Sequence, residues 1–167
     1  MPKIHPYLWF DTNAEDAMNF YTSVFKNSKI GKVRRFTDSV PGSDGKVPLA
    51  EFEFELEGLP ITALNAGPQH TFNESVSLYL ETEDQAETDY YWNALMAGGG
   101  FEQPCGWLKD KYGLSWQVIP KALPRLLGDQ DRRKSDRVLQ AMYKMEKIII
   151  ADLERAYAGS SGRSAAS

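Results

Sequence analysis

Two periods of apolar residues alternate along the chain. From Ile4 to Phe10 aromatic and aliphatic residues crowd together, with Pro6 near the start, where a strand tolerates a missing N–H. Alternation puts His5, Tyr7 and Trp9 on one face and Pro6, Leu8 and Phe10 on the other. Asp11-Thr12-Asn13 offers helix-capping side chains, and Ala14, Ala17, Met18, Tyr21, Val24 and Phe25 follow at spacings of three and four. That spacing predicts an amphipathic helix of about three turns. Asn27 to Lys32 reads as a turn, Val33 to Thr37 as a strand and Asp38 to Gly45 as a loop. Pro48 to Glu57 is the cleanest strand, because Glu51, Glu53 and Glu55 alternate with Phe52, Phe54 and Leu56. Gly58-Leu59-Pro60 then reads as a hairpin turn and Ile61 to Leu64 as the partner strand.

The second half repeats the order. Val76 to Glu81 reads as a strand, and Ala86 to Met96 as a helix closed by Gly98-Gly99-Gly100. Short strands follow around Gly106 to Leu108 and Leu114 to Ile119, with Lys109 to Gly113 as the turn between them. A shift of 72 residues lays Tyr7 on Tyr79, Leu8 on Leu80, Ala14 on Ala86 and Glu15 on Glu87, and puts His5 on Ser77. A shift of 55 lays Gly58-Leu59 on Gly113-Leu114 and Thr62 on Gln117. The second copy is therefore shorter by 17 residues, about one loop and one strand. The expected fold class is α+β, with two βαβββ-like modules facing each other around a shared groove. The expected boundaries are 1–68 and 69–127 for the modules of one domain, 128–158 for a helical tail and 159–167 for a disordered end. In the tail Ser135 is the expected cap of a helix carrying Val138, Leu139, Met142 and Met145, and Ala151 to Ala158 a second helix. Arg132, Arg133, Lys134 and Arg137 read as a solvated basic face.

Composition narrows the function. The chain has 167 residues, 42% apolar, which suffices for a real core. Its net charge of −4 gives no electrostatic footprint for nucleic acid. No apolar run approaches the roughly 20 residues that span a bilayer. The first residues lack the apolar stretch of a secretory signal, so a cytoplasmic protein is expected. A single cysteine, Cys105, excludes an internal disulfide and a multi-cysteine zinc site, and is expected to be buried and inert.

Several scattered motifs occur in a telling order. They are Trp9-Phe10-Asp11 with Ala14-Glu15-Asp16-Ala17 and Phe20-Tyr21, Ala63 to Pro68, Phe72-Asn73-Glu74-Ser75 and Tyr90-Tyr91-Trp92. The most specific is Cys105-Gly106-Trp107-Leu108-Lys109-Asp110-Lys111-Tyr112-Gly113-Leu114-Ser115-Trp116-Gln117, and Gln140 to Met142 and Ile150 to Tyr157 add to it. With these the sequence resembles the PhnB-like branch of the vicinal oxygen chelate superfamily, the glyoxalase/bleomycin-resistance/dioxygenase fold. The resemblance implies two βαβββ modules forming a cup-shaped mixed sheet, a homodimer and a site for a small molecule. Members of this branch often carry the label demethylubiquinone methyltransferase. A nucleotide-type methyltransferase fold needs a glycine-rich loop after its first strand, whereas Gly98-Gly99-Gly100 follows a helix.

The superfamily's enzymes hold a divalent metal with side chains from four strands. The matching positions here are His5, Thr62, Ser77 and Gln117. Threonine and serine are poor ligands for zinc, nickel or iron, so no complete metal site is expected; His5 and Gln117 would be its members if one formed. Glu51, Glu53 or Glu55 would help only if their face turned toward those residues; a plain solvent-facing row is the expected arrangement. His5 is either a ligand-contacting residue or a general base. His70 is an exposed loop residue, and Lys109 and Asp110 are turn residues or guards of the groove mouth. The expected ligand pocket is His5, Tyr7, Trp9, Thr62, Ser77, Tyr79, Trp107 and Gln117. Aromatic residues with a few polar groups suit a small-molecule site, although a dimer interface has the same composition. Two functions follow: a small-molecule-binding protein without cofactor, or a metal-dependent isomerase, lyase or dioxygenase acting on vicinal oxygens.

Overall fold

A computed structural model describes residues 2–159. The expected disordered end therefore lies, apart from Gly159, outside the described residues. The chain divides into two compact units, Met1–Phe72 and Asn73–Ser167.

The first unit runs β1 (Tyr7–Phe10), α1 (Ala14–Val24), β2 (Ser28–Ser39), β3 (Pro48–Leu56) and β4 (Leu59–Asn65). Its sheet order is β1-β4-β3-β2, with β1 parallel to β4 and the other neighbours antiparallel. Helix α1 buries Ala14, Ala17, Met18, Tyr21 and Val24, the positions its spacing marked. Tyr21 stacks on Phe54 at 6.2 Å, on the sheet face that also buries Phe52, Ile61 and Ala63. The expected cap is corrected: Asn13 makes no side-chain cap bond, and Asn65 of β4 accepts the Ala14 N–H at 2.7 Å instead. Strand β2 starts in the expected turn and extends past the expected end. It is an edge strand with register shifts at Ile30/Val33 and Arg35/Ser39, and all but Ser28 is exposed, so no alternation marks it. The hairpin turn is also displaced. Leu56 pairs with Leu59, which leaves Glu57 and Gly58 as a two-residue turn with φ of 48° and 83°, the primed type that suits a tight hairpin.

The second unit runs β5 (Ser77–Thr82), α2 (Gln85–Met96), β6 (Phe101–Glu102), β7 (Trp107–Lys109), β8 (Ser115–Pro120) and three helices, α3 (Ala122–Leu127), α4 (Arg132–Met142) and α5 (Ile150–Ala158). The sheet order β5-β8-β7-β6 repeats the first plan, again with the first strand parallel to the last. The repeat is register-true: Tyr7 pairs with Thr62, and Tyr79 pairs with Gln117. The second copy is shorter chiefly because the 12-residue β2 has only the two-residue β6 as its counterpart.

The tail helices belong to this unit. Leu123, Leu126, Val138, Ile148 and Leu153 form one buried cluster with Ile119 of β8. Helix α4 begins three residues before the expected cap: Asp131 accepts the Arg133 N–H, and Ser135 bonds back to the Arg132 carbonyl. Of the basic face, Arg132 and Arg133 are exposed as expected, whereas Arg137 is not simply solvated. Arg137 donates to the Ala156 and Tyr157 carbonyls at 2.7 and 2.6 Å, holding the C-terminal end of α5. Gln85 of α2 donates to the Ile148 carbonyl and accepts from the Ile150 N–H, at 3.1 and 2.8 Å. Cys105 and Gly106 are consecutive left-handed residues, with φ of 65° and 82°. Their N–H groups bond the Met145 and Glu146 carbonyls, both at 2.7 Å, so the start of the long motif clasps the α4–α5 connection.

The rest of that motif is organised by a buried carboxylate. Asp110 is 2% exposed. Its oxygens accept the Tyr112 N–H, the Leu114 N–H and the Trp116 indole N–H at 2.8, 3.1 and 2.9 Å. Asp110 therefore builds the β7–β8 turn and pins Trp116 beneath it, and Lys109 beside it pairs with Glu74.

Removing the Asp110 carboxylate strands three donors. We expect Asp110→Ala to cost about 3 kcal/mol, measured by urea unfolding; a loss below about 1 kcal/mol would show that the turn stands without it. At Gly106 an added Cβ would meet Ile119 Cδ1 at 2.7 Å and Ile148 Cγ1 at 3.0 Å. Gly106→Ala should therefore loosen the tail, read as faster amide exchange at Leu153 with β3 and β4 unchanged.

Candidate functional site

Each sheet has one face covered by its helix and one face turned away from it. On the first unit the pairings Tyr7↔Thr62, Glu53↔Thr62 and Glu51↔Leu64 put His5, Tyr7 and Trp9, Thr62, and Glu51, Glu53 and Glu55 on the same uncovered face. The glutamates are thus not a detached solvent-facing row; they share the face of His5. His5 Nε2 lies 3.2 Å from the buried Thr62 hydroxyl. Its Nδ1 is buried and has no hydrogen-bond partner. The Tyr7 hydroxyl donates to Glu51 Oε1 at 2.5 Å, and Arg34 of β2 pairs with the same carboxylate. Desolvation, and then the bond and negative charge of Glu51, push the Tyr7 hydroxyl up to about 12. Trp9 donates its indole N–H to the Gly67 carbonyl at 2.8 Å and meets the exposed His70 edge-to-face at 4.8 Å.

On the second unit Ser77, Tyr79, Ser115, Gln117, Trp107 and Lys109 share the uncovered face, through Ser77↔Ser115, Tyr79↔Gln117, Trp107↔Gln117 and Lys109↔Ser115. Gln117 Nε2 donates to the Ser77 hydroxyl at 2.9 Å. The Ser115 hydroxyl is fully buried and has no partner. Tyr79, Trp107 and Gln117 line a cavity of about 190 Å³ whose opposite wall includes Leu123, Leu127 and Met142. Cys105 borders it, and burial pushes its thiol up, so it is protonated at neutral pH and a weak nucleophile.

The structure therefore brings the sequence-predicted pocket residues together in two fours: His5, Tyr7, Trp9 and Thr62 on the first unit, and Ser77, Tyr79, Trp107 and Gln117 on the second. Sequence reasoning missed Ser115 and the tail residues of the cavity wall. Leu123, Leu127 and Met142 carry a helical apolar signal, but nothing in their spacing tells which surface they cover.

A metal does not fit these residues. Among the described residues no three His, Cys, Asp or Glu side chains gather closely enough to hold one. His5 Nε2 already faces the Thr62 hydroxyl, and the hydroxyls and amide of Thr62, Ser77 and Gln117 are weak donors for a transition metal. No helix among the described residues is long and apolar enough to cross a membrane.

The fold and these motifs have known relatives. The sequence model of the 3-demethylubiquinone-9 3-methyltransferase family matches residues 2–119. The chain is similar to the PhnB protein from Bacillus cereus, 33% identical, with a TM-score of 0.60 over 71% of this chain and 98% of that one. A Pseudomonas aeruginosa protein, 22% identical, has a TM-score of 0.59 over 72% of this chain and 98% of its own. The fosfomycin resistance protein FosX from Listeria monocytogenes, 16% identical, shares the fold with a TM-score of 0.52 over 77% of this chain and 100% of that one. No curated protein matches the chain significantly. The chain belongs to this PhnB-like, 3-demethylubiquinone-9 3-methyltransferase-type family and has the fold of the vicinal oxygen chelate superfamily.

The Tyr7 bond gives a pH signature. Because folding raises this pKa, its contribution is full below about pH 10 and is lost as the pH climbs through about 12. In protein labelled with ring-13C tyrosine, the resonance absent from Tyr7→Phe should titrate at about 12. Titration of that resonance near 10, the ordinary value, would show that Tyr7 and Glu51 do not bond.

Proposed function

We propose that the protein binds a small molecule on the uncovered sheet faces of its PhnB-like domain, without a complete metal site. The cavity lined by Tyr79, Trp107 and Gln117 carries the reading. An aromatic wall with a few convergent polar groups is the usual make-up of such a site. The methyltransferase name of the family gains no support from these residues: the glycine cluster lies at the end of α2, where Ala97 and Gly98–Gly100 close the helix.

The test has two parts. Elemental analysis of natively purified protein, followed by calorimetric titration with Mn, Ni and Zn, should give no stoichiometric metal. A fragment screen by ligand-observed NMR should give binders that Tyr79→Ala and Gln117→Ala each weaken at least tenfold without changing Tm. Tight stoichiometric metal binding that His5→Ala abolishes would overturn this reading in favour of a metal-dependent isomerase, lyase or dioxygenase. Fragments that bind both variants unchanged would move the ligand away from this cavity.

A further inference from the structure

Resting on that reading, we propose that the tail helices are the specificity wall of the cavity, and that they select a neutral, mainly apolar ring compound carrying one hydrogen-bonding N–H or O–H.

The family match ends at residue 119, whereas Leu123, Leu127 and Met142 of the wall all lie beyond it. The helices that carry them are not loosely attached. They share a buried cluster with Ile119, and Gln85, Arg137 and the Cys105–Gly106 clasp tie them down. A wall held in this way keeps its shape and so discriminates by shape.

Volume sets the size of the ligand. A cavity of about 150 Å³ admits benzene, so about 190 Å³ admits one ring system of roughly nine or ten heavy atoms. The lining sets the charge. No lining residue carries a permanent charge, and partial burial shifts the two ionisable ones, Tyr79 and Cys105, toward their neutral forms. Glu81 stands on the same strand face as Tyr79, two residues on, and disfavours an anion further. The nearby lysines are already paired, Lys109 with Glu74 and Lys121 with Glu81 and Glu83, so a charged ligand would give up hydration for a lining with no free counter-charge. The polar groups set the functional group. Gln117 gives one of its two amide N–H groups to Ser77, and among the described residues nothing donates to its carbonyl oxygen, so that oxygen is poised to accept from a ligand.

The experiment measures calorimetric affinity for indole, indane and indole-3-acetate on the full chain. Indole should bind, indane at least fivefold more weakly for want of the N–H, and indole-3-acetate at least tenfold more weakly. Leu127→Trp should fill the cavity and weaken indole at least tenfold with β-sheet circular dichroism intact. Should that variant fail to fold, Met142→Ala, which enlarges the space, should raise the ratio of 5-bromoindole to indole affinity at least threefold. Indole binding unchanged in both variants, or tighter binding of the anion, would overturn the role of the tail while fragments lost in Tyr79→Ala would still uphold the binding function. No binding by any probe or fragment would overturn both.

Discussion

Each half of this protein depends on a parallel pairing between its first strand and its last. β1 lies beside β4 and β5 beside β8, and every residue of the candidate site sits on one of these strands or next to one. The pairing sets His5 against Thr62 and Ser77 against Gln117 within hydrogen-bond reach. Parallel neighbours need a long crossover, and here the intervening helix and two strands supply it. The helix covers one face and leaves the other turned away from it. Asn65 shows how closely the parts are joined: it ends β4 and at the same time caps α1.

Much of this was legible in the sequence because it rests on periodicity. The helix face of α1, the glutamate–phenylalanine alternation of β3 and the 72-residue repeat were all read from the spacing of side chains. What was not legible came from pairing. Reading the hairpin turn at Gly58–Pro60 instead of Glu57–Gly58 shifts the register by an odd number of residues, and an odd shift exchanges the two faces of a strand. That small displacement hid the fact that Glu53 flanks Thr62. Strand β2 escaped for the opposite reason: an exposed edge strand has no buried face to leave a pattern. The tail wall escaped because amphipathic spacing shows that a helix packs, not what it packs on.

Asp110 illustrates how a motif can be strong without being catalytic. A charged residue inside the long Cys105–Gln117 motif invites a chemical role. Its oxygens are instead occupied by two backbone N–H groups and the Trp116 indole, and its work is to shape a turn. Three side-chain atoms among the described residues are buried without a hydrogen-bond partner, His5 Nδ1, Gln103 Oε1 and the Ser115 hydroxyl, and none of them belongs to this carboxylate.

The two halves also differ in when they can be finished. All the strands and the helix of the first unit lie within Met1–Phe72, so its partners are present once that stretch has left the ribosome. The second unit waits for Gln85 to meet Ile148 and Ile150, and for Cys105 and Gly106 to meet Met145 and Glu146. Until the stretch from Leu123 to Leu153 has been made, Ile119 and the face of Trp107 and Tyr79 stand without their cover. The tail therefore makes this half of the nascent chain the one most exposed to misassociation, and a truncation just short of Ile150 would leave it so permanently.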